Sequence, residues 1–550
     1  MTAPRRVLIV GGVAGGMSAA TRLRRLDESA EITVIERGPE VSYANCGLPY
    51  YVGGVIPERA SLLLQTPDSL HRRFRLDVRV RHEASRIDTA RKTVDVIDLD
   101  SGRRTVETYD ALVLALGASP RRAETGSSIP VLSLRTVADA DAIHSSLTRP
   151  GIPVVVIGGG YTGLEAAENL VSRGAAVTLV QRGEQLLSPL DIEMSAPILA
   201  AVRSHGVDVR LCVTITGTTD GAVALSDGTS APAELIVDAS GVTPETQLAT
   251  AAGIAIGETG GIRVDASCRT SAPDVFAVGD GVEKTELVGG GTALITMAGL
   301  ANRHGRMVAD IIAGRAPSSR PALGTGIVSV FGSVAAKVGW SEKQLTTAGR
   351  DFYTAHVHPA SHAGYFPGAE TMSMKLLADP LTDRILGAQI VGREGIDKRI
   401  DVIATAMHAG LPASELSQLE LAYAPQFGSA KDAVNMLGYV AENTRSGTTP
   451  TLQWHELDDA LTAGAALIDV RTPAEFAAGA IPGAINVPLD ELRERLDELP
   501  DGPLIVHCQV GLRGHAATRL LAQHGFAVRN LDGGYRTWHD ARSARSGSRT

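Results

Sequence analysis

Short apolar runs alternate with amphipathic helical patterns along much of the chain, and a glycine-rich turn interrupts the first alternation. The apolar run Val7–Val10 leads through the turn at residues 11–16 into a helical pattern over residues 19–26. A second run, Glu31–Ile35, follows and ends at Glu36. This order of strand, turn, helix, strand and acid predicts a dinucleotide-binding βαβ unit.

The same pattern returns about 150 residues later. Val154–Ile157 predicts a strand, residues 158–163 form a second glycine-rich turn, Leu164–Arg173 predicts a helix, and Val177–Val180 predicts the next strand. A single turn of this kind also arises for steric reasons alone. Two turns in the same βαβ context favour two bound nucleotides.

The remaining pattern indicates further domains. Residues 326–437 mix helical and strand periodicity without another glycine fingerprint. Glu442–Pro450 is polar and poor in large apolar residues, which predicts a linker. A compact βαβ segment of about 95 residues follows. The last ten residues, A-R-S-A-R-S-G-S-R-T, predict a disordered tail.

Composition narrows the classes of function. The 550 residues carry a net charge of -9, which argues against a nucleic-acid partner because such binding needs a basic surface. No stretch reaches the roughly 20 apolar residues that span a bilayer, and Val7–Val10 is too short for a signal peptide. The four cysteines form neither C-x-x-C nor zinc spacing, so we expect no metal site and a cytoplasmic protein.

The first turn offers backbone N–H groups and a helix N-terminus to a pyrophosphate. The middle glycine of the usual G-x-G-x-x-G pattern is Val13, but Gly11 and Gly16 remain available for the tight turn and close packing. We expect Glu36 to accept hydrogen bonds from a ribose. The expected residues of this nucleotide site are Gly11, Gly12, Ala14, Gly15, Gly16, Glu36 and Arg37.

A further motif points to FAD at the first site. Residues 270–280, T-S-A-P-D-V-F-A-V-G-D, resemble the second flavin motif of the flavoprotein reductases that bind two dinucleotides. The resemblance implies that Asp280 holds the ribityl chain. Residues 111–120, with Gly117, and residues 241–244, with Gly241, resemble two linker motifs of that family.

The second site is then expected to bind NADH or NADPH. Its second strand ends at Gln181-Arg182, without the acid that favours NADH, so a 2′-phosphate has room and we favour NADPH or use of both. Alternatively, Arg182 is a solvated surface charge. The resemblance places an aromatic, here Tyr161, over the flavin. The expected residues are Gly158, Gly160, Tyr161, Gly163, Glu165, Gln181 and Arg182.

The segment S-Y-A-N-C-G-L-P-Y-Y, residues 42–51, contains one cysteine, Cys46, where most flavin disulfide reductases carry two. One sulfur must cycle through a mixed disulfide or a sulfenic acid. The segment resembles coenzyme A-disulfide reductases and their rhodanese-fused relatives, the coenzyme A-persulfide reductases. The resemblance implies that Ser42, Asn45 and Arg25 contact coenzyme A.

Two alternatives remain open at this point. Single-cysteine NAD(P)H oxidases and peroxidases share the fold and cycle through a sulfenic acid, but they usually place a His where this chain has Ala14. A sulfur-carrier protein with a regulatory flavin domain would bind FAD without turning over a nicotinamide.

Two tyrosines extend the resemblance into the C-terminal half. Tyr365 in H-A-G-Y-F-P and Tyr423 in L-A-Y-A-P match positions where the family's tyrosines reach the cysteine of the other subunit of a dimer. Gln426-Phe427 departs from the Pro-Tyr usual there. A phenol beside a departing thiolate can donate a proton to it. The resemblance therefore implies a homodimer with Tyr365 and Tyr423 in each active site.

The C-terminal segment resembles the rhodanese fold through four motifs in order, within residues 466–538. The loop I-V-H-C-Q-V-G-L-R-G places Cys508 at a strand end before a helix, where N–H groups stabilise anionic sulfur, and Arg513 adds positive charge. Six positions from Cys508 to Arg513 suit a sulfane sulfur better than a phosphate. We expect Cys508 to carry a persulfide and His507 to pack in the strand.

The prediction is an α/β protein with two Rossmann-like dinucleotide-binding domains, an α+β dimerisation domain and a rhodanese domain. It is expected to use FAD and NADH or NADPH to reduce coenzyme A disulfide, or coenzyme A or low-molecular-weight persulfides and polysulfides. The predicted boundaries are 1–119 and 243–320 for the FAD domain, 120–242 for the NAD(P) domain, 321–441 for dimerisation, 442–450 for the linker, 451–541 for rhodanese and 542–550 for the tail.

Overall fold

The computed structural model describes residues 4–121 and 129–547. The chain forms two compact units, the first comprising Met1–Val180 and Thr214–Gly324 and the second Gln181–Val213 and Thr325–Thr550. Residues 122–128 of the predicted NAD(P) domain and 548–550 of the predicted tail lie outside the described residues. No helix within the described ranges is long and apolar enough to cross a bilayer.

The helices are α1 (Ala14–Leu26), α2 (Leu48–Val52), α3 (Pro67–Phe74), α4 (Val137–Ser146), α5 (Tyr161–Ser172), α6 (Ile192–Ser204), α7 (Gln247–Ala251), α8 (Ala298–Ile312), α9 (Glu342–Thr347), α10 (Ile396–Ala409), α11 (Ala433–Arg445), α12 (Leu457–Thr462), α13 (Pro473–Ala477), α14 (Leu512–Gln523) and α15 (Gly534–Gly547).

The strands are β1 (Arg6–Val10), β2 (Glu31–Ile35), β3 (Asp77–Arg79), β4 (His82–Asp88), β5 (Thr93–Asp98), β6 (Arg104–Thr108), β7 (Ala111–Leu114), β8 (Ala118–Pro120), β9 (Val131–Ser133), β10 (Pro153–Ile157), β11 (Ala176–Gln181), β12 (Asp208–Leu211), β13 (Ile215–Thr219), β14 (Ala222–Leu225), β15 (Ser230–Pro232), β16 (Leu235–Asp238), β17 (Val242–Pro244), β18 (Val275–Ala277), β19 (Glu283–Thr285), β20 (Thr292–Leu294), β21 (Gly326–Val330), β22 (Ser333–Gly339), β23 (Tyr353–Val357), β24 (Ser373–Ala378), β25 (Ile385–Gly392), β26 (Thr451–Leu452), β27 (Ala466–Asp469), β28 (Ile485–Asn486), β29 (Leu504–His507) and β30 (Val528–Leu531).

The first unit is built on a parallel sheet in the order β18-β7-β1-β2-β3. Its central strands are nearly continuous apolar runs, because both faces are covered. Helices α1 and α8 pack on one face, where a Cβ added to Gly305 would lie 2.1 Å from the carbonyl oxygen of Gly15. This close approach lets α1 and α8 pack directly against each other.

A second parallel arrangement follows in the same unit, with β10 between β11 and β16, and β9 beyond β16. The two linker motifs join it to the first sheet, because β8 and β17 pair antiparallel, with Ser119 opposite Thr243. Antiparallel strands β4-β5-β6 and β13-β14-β15 form two smaller sheets. The two βαβ repeats read from the periodicity are thus both present.

The second unit contains an antiparallel sheet in the order β21-β22-β25-β24-β23 and a parallel sheet in the order β26-β30-β29-β27-β28. All six residues of β24 are buried, and α10 packs on the first of these sheets. In the second sheet, β29 is buried throughout and α14 follows it. The carboxyl end of β29 therefore carries Cys508, as the pattern predicts.

The linker at 442–450 stays a prediction, whereas the prediction of a disordered tail is wrong. The first four residues of Glu442–Pro450 continue α11, and Thr449 is buried, with Oγ1 2.6 Å from His515 Nδ1. The tail is not disordered up to Gly547, because α15 continues that far. Ala541 and Ala544 of α15 are buried, which anchors a segment whose composition is otherwise polar.

Candidate active site

A cavity of about 860 Å³ lies in the first unit at the carboxyl ends of its parallel strands. Many of the residues predicted for FAD and coenzyme A line it together. They are Gly11, Ala14, Gly15, Glu36, Arg37, Asn45, Cys46, Gly117 and Asp280. Of the other predicted residues, Gly12 and Gly16 lie in the turn behind this surface.

The first glycine turn leaves no room for a side chain at two of its glycines. Gly11 has a φ of +105°, and an added Cβ would lie 2.1 Å from the carbonyl oxygen of Ala115. A Cβ on Gly16 would lie 1.9 Å from the carbonyl oxygen of Gly11. Val13 precedes α1 and lines the cavity, so a side chain fits at the position where the motif departs from its usual glycine.

Glu36 is fixed by two backbone amides. Its Oε2 accepts the N–H of Gly12 and its Oε1 accepts the N–H of Gly38, both at 2.7 Å. Burial raises the pKa of this carboxyl, although the two amides oppose the shift. Each oxygen keeps a further lone pair, as a ribose acceptor requires.

Asp280 is paired with Arg135, whose Nη2 lies 2.6 Å from Asp280 Oδ2, and both line the cavity. Behind Asp280, buried Lys284 donates to the carbonyl oxygens of Gly279 and Val282, at 2.7 and 2.8 Å. Burial lowers the pKa of Lys284 to about 8. The glycine turn, the two oxygens of Glu36 and the anchored carboxylate of Asp280 thus lie on one cavity surface.

Cys46 is exposed within the turn Asn45–Gly47, which leads into α2. Its surroundings nevertheless desolvate the thiol, which raises its pKa, and the charge of Glu165 raises it further. Arg135 opposes both effects. Asn45 Nδ2 donates to the carbonyl oxygen of Arg135 at 3.3 Å. Sequence reasoning missed Arg135, because its segment S-L-R-T carries no motif.

Ser42 takes a left-handed backbone conformation, with a φ of +51°, and its N–H donates to the carbonyl oxygen of Gly12 at 2.8 Å. This bond ties the cysteine segment to the nucleotide turn. The third predicted coenzyme A residue, Arg25, is exposed on α1, and its guanidinium lies 5.2 Å from the centre of the Phe74 ring.

The second glycine turn repeats the first. Gly158 has a φ of +100°, and a Cβ on Gly163 would lie 1.8 Å from the carbonyl oxygen of Gly158. Gly160 precedes α5 and has open space around it. Gln181 ends β11, and its Nε2 donates to the carbonyl oxygen of Gln185, whereas Arg182 is exposed.

The first two turns of α5 carry two groups with shifted pKa values. Burial raises the pKa of Tyr161 to about 12 and that of Glu165 to about 7. Tyr50 Oη lies 3.5 Å from Glu165 Oε1. Glu165 therefore changes its charge near neutral pH, and that charge acts on Cys46.

Gly241 has a φ of +133°, and its carbonyl oxygen accepts the N–H of Arg121 at 2.9 Å. Gly117 also has a positive φ, +73°. Both glycines therefore occupy connections where the left-handed region is required.

Tyr365 and Tyr423 lie side by side in the second unit, with their hydroxyl oxygens 2.8 Å apart. Both rings are solvent-accessible, 76% and 47% exposed. The N–H of Ala363 donates to the carbonyl oxygen of Gly428 at 2.9 Å, which joins the two loops that carry them. The hydrogen bond with Tyr423 raises the pKa of Tyr365. The pair thus presents two hydrogen-bonded hydroxyl groups at the surface.

The loop after β29 carries Cys508 and a run of backbone amides that leads into α14. Among the described residues, no acceptor is found for the backbone amides of residues 509–514. Cys508 is fully buried at the start of this loop. Free amides at the beginning of α14 favour negative charge on its sulfur.

Arg513 is held beside the loop by Glu475, with Nη2–Oε1 and Nη1–Oε2 distances of 2.6 and 2.8 Å. This pair lowers the pKa of Glu475 to about 2. The sequence alone did not identify Glu475 as the partner of Arg513. His507 is buried in β29, and burial lowers its pKa to about 4, so it is neutral.

The chain belongs to the pyridine nucleotide-disulphide oxidoreductase family, which its sequence matches over residues 5–299. The family's dimerisation domain matches residues 327–434, and a rhodanese-like domain matches residues 453–541.

Three similar proteins narrow the comparison within this family. It is 33% identical to the coenzyme A disulfide reductase of Staphylococcus haemolyticus, over 80% of this chain and all of that protein. Its structure is similar to reduced CoADR-RHD of Bacillus anthracis, with a TM-score of 0.96 and 42% identity over 98% and 99% of the two chains. It is also similar to an NAD-dependent persulfide reductase from A. fulgidus, with a TM-score of 0.91 and 35% identity over 97% and 100%.

These likenesses confirm the predicted class. The chain is a flavoprotein oxidoreductase that uses FAD and a nicotinamide nucleotide, fused to a rhodanese-like domain. The predicted α/β fold class, with its dimerisation domain, is likewise confirmed.

Proposed function

We propose that this protein uses NADH or NADPH to reduce coenzyme A disulfide, or persulfides and polysulfides of coenzyme A and other small thiols, through Cys46. One observation carries the proposal: Cys46 lines the same cavity as Glu36 and Asp280, so the redox sulfur shares a site with the flavin contacts. The substrates named for the relatives support the choice of coenzyme A.

In the proposed cycle, the Cys46 thiolate attacks the coenzyme A sulfur of a persulfide. The S–S bond breaks, hydrosulfide leaves, and a mixed disulfide between Cys46 and coenzyme A forms. With coenzyme A disulfide, the leaving group is a coenzyme A thiolate. Two electrons and a proton then return Cys46 to thiolate and release coenzyme A as a thiol. FAD, when bound, carries those electrons from the nicotinamide.

The residues have separate parts in this scheme. Arg135 offsets the raised pKa of Cys46 and so favours its thiolate. Ser42, Asn45 and Arg25 contact coenzyme A. Two subunits form a homodimer, in which Tyr365 and Tyr423 of one protomer donate a proton to the thiolate leaving Cys46 of its partner. Their hydrogen bond supports this part, because it keeps Tyr365 protonated.

The rhodanese-like domain supplies or accepts sulfane sulfur at Cys508, with Arg513 adding positive charge. Its presence favours persulfide over disulfide as the substrate. In sulfur transfer, the Cys508 thiolate attacks the sulfane sulfur of a donor, the donor's anion leaves, and a Cys508 persulfide remains. The backbone amides of residues 509–514, for which the described part of the chain offers no backbone acceptor, support this assignment.

The test is anaerobic oxidation of NADH and NADPH with coenzyme A disulfide, with coenzyme A persulfide, or without acceptor. We expect fast acceptor-dependent turnover that Cys46→Ser abolishes. Cys212→Ser is the matched control, because Cys212 is also exposed. Cys508→Ser should keep disulfide reduction and lose sulfur transfer from thiosulfate.

Turnover that appears only with oxygen or peroxide would overturn the proposal in favour of an oxidase or peroxidase. Flavin binding without any nicotinamide oxidation would instead favour a sulfur carrier with a regulatory flavin domain.

A further inference from the structure

A buried cluster of charges lies in the second unit beside the domain that carries Cys508. Lys375 of β24 is 1% exposed, and its Nζ lies 3.0 Å from Asp191, 2.5 Å from Glu193 and 2.6 Å from Glu342. The ammonium occupies the centre of these three carboxylates, so the cluster is already complete as an ion network.

His356 of β23 extends this cluster to the rhodanese-like domain. Its Nδ1 lies 2.7 Å from Asp532 Oδ2, its backbone N–H donates to Asp532 Oδ1 at 3.2 Å, and its Nε2 lies 3.4 Å from Glu193 Oε1. Burial lowers the pKa of His356, but the two carboxylates outweigh it and raise that pKa to about 9. The imidazolium therefore donates to both acids, and Gln453 donates to Asp532 as well, at 3.1 Å.

The residues after Asp532 have no free space on either side. A Cβ on Gly533 would lie 3.1 Å from Cβ of His356 and 2.0 Å from Thr537 Oγ1. A Cβ on Gly534 would lie 2.4 Å from the carbonyl oxygen of Cys508. One glycine thus contacts the dimerisation domain and the next contacts the sulfur-transfer loop.

Hydrogen bonds follow the same path. The N–H of Tyr535 donates to the carbonyl oxygen of Cys508 at 2.8 Å, and the N–H of Arg536 donates to that of Gln509 at 3.0 Å. His358, two residues after His356, places Nε2 2.8 Å from Thr537 Oγ1. These bonds hold the carbonyls of Cys508 and Gln509, and a Cβ on Gly534 would also lie 2.9 Å from the backbone nitrogen of Gly511, so residues 534–536 pack directly on the loop.

We propose that His356 is a positioning residue for sulfur transfer: through Asp532 and residues 533–536, the dimerisation domain holds the Cys508 loop in its anion-binding shape. The inference rests on the proposed rhodanese activity. It makes sulfur transfer depend on a side chain of the reductase portion that touches neither the sulfur nor the flavin site.

The test uses full-length protein and two variants of opposite design. His356→Gln keeps a donor toward Glu193 and loses the one toward Asp532, whereas His356→Asn keeps a donor at the position of Nδ1. We measure transfer of sulfur from thiosulfate to cyanide, and hydrogen exchange of the amides of residues 509–514. His356→Gln should lower kcat about fivefold or more, leave the KM for thiosulfate within about twofold, and speed exchange. His356→Asn should retain most of kcat.

His455→Gln is the matched control. His455 Nε2 lies 3.8 Å from Glu342 Oε1, so it also joins the two domains, but it does not contact residues 532–536. It should leave both measurements unchanged, and all variants should keep NAD(P)H oxidation with coenzyme A disulfide.

The proposal is overturned if His356→Gln keeps the wild-type kcat and exchange, if His455→Gln loses as much, or if His356→Asn behaves like His356→Gln. Should His356→Gln fail to fold, Asp532→Asn decides, since it keeps the shape of the side chain and removes the charge that His356 contacts: reduced kcat with faster loop exchange supports the proposal, and no change overturns it. Should wild type transfer no sulfur, the rhodanese assignment fails, and loop exchange alone then decides this inference.

Discussion

The charge on Glu165 offers a direct test of how the site controls Cys46. Glu165 lies on α5, and its carboxylate raises the pKa of the Cys46 thiol. Glu165→Gln removes this charge and keeps the shape of the side chain. We expect the thiolate of Cys46 to form at lower pH in the variant.

The magnitude follows from the pKa of Glu165, which is about 7. Glu165 is then about one tenth ionised at pH 6 and about nine tenths at pH 8. Each unit by which a thiol pKa falls raises its thiolate fraction about tenfold while the pH stays below the pKa. The variant should thus react at nearly the wild-type rate at pH 6 and several times faster at pH 8.

The assay is alkylation of Cys46 by iodoacetamide between pH 6 and pH 9, followed by mass analysis of the peptide. Glu258→Gln is the control, since Glu258 is an exposed acid of the same unit and is not among the main groups that shift the pKa of Cys46 or Glu165. A rate ratio that stays constant with pH, or a variant slower than wild type at pH 8, would refute the reasoning.

Two further predictions concern buried and half-buried charges. Arg135→Gln should raise the pKa of Cys46 and slow its alkylation at pH 7 to 8, because Arg135 is the nearby group that lowers that pKa; an unchanged pH profile would contradict this. Lys375→Met should lower the free energy of unfolding by about 3–5 kcal/mol at neutral pH, measured in urea, since two buried carboxylates and the half-buried Glu342 lose their partner. Lys375 holds the pKa of Glu193 below its usual range, so this stabilisation is present above about pH 4.5 and is lost as pH falls further. Lys398→Met, which breaks a single contact at 3.4 Å, should cost less than about 1 kcal/mol, and an equal loss in both variants would rule out the explanation.

Much of the fold follows from local patterns in the sequence. Gly11 and Gly16, and again Gly158 and Gly163, stand where only a hydrogen fits, so their spacing predicts both turns. Cys508 follows an apolar run that can only be a buried strand, and the structure places it at the carboxyl end of β29. The roles of the predicted site residues remain predictions.

Contacts between segments that are distant along the chain could not be predicted from the sequence. Arg135 meets Asp280 across 145 positions, and His356 meets Asp532 across 176, and neither pair leaves a periodic signal. The prediction of a disordered tail was wrong for a related reason. Helix α15 is polar in composition, but Ala541 and Ala544 are buried and give it a narrow packed face. Tertiary packing outweighed composition there.

Helix α15 packs against α6, so the chain's last helix contacts a helix that precedes it by more than three hundred positions. The rhodanese-like domain therefore cannot be replaced by another domain without regard to this contact. A chimera that exchanges it for a homologous domain would have to match the α6 surface and keep a carboxylate opposite His356. An excised domain would expose Asp532 without its partner His356.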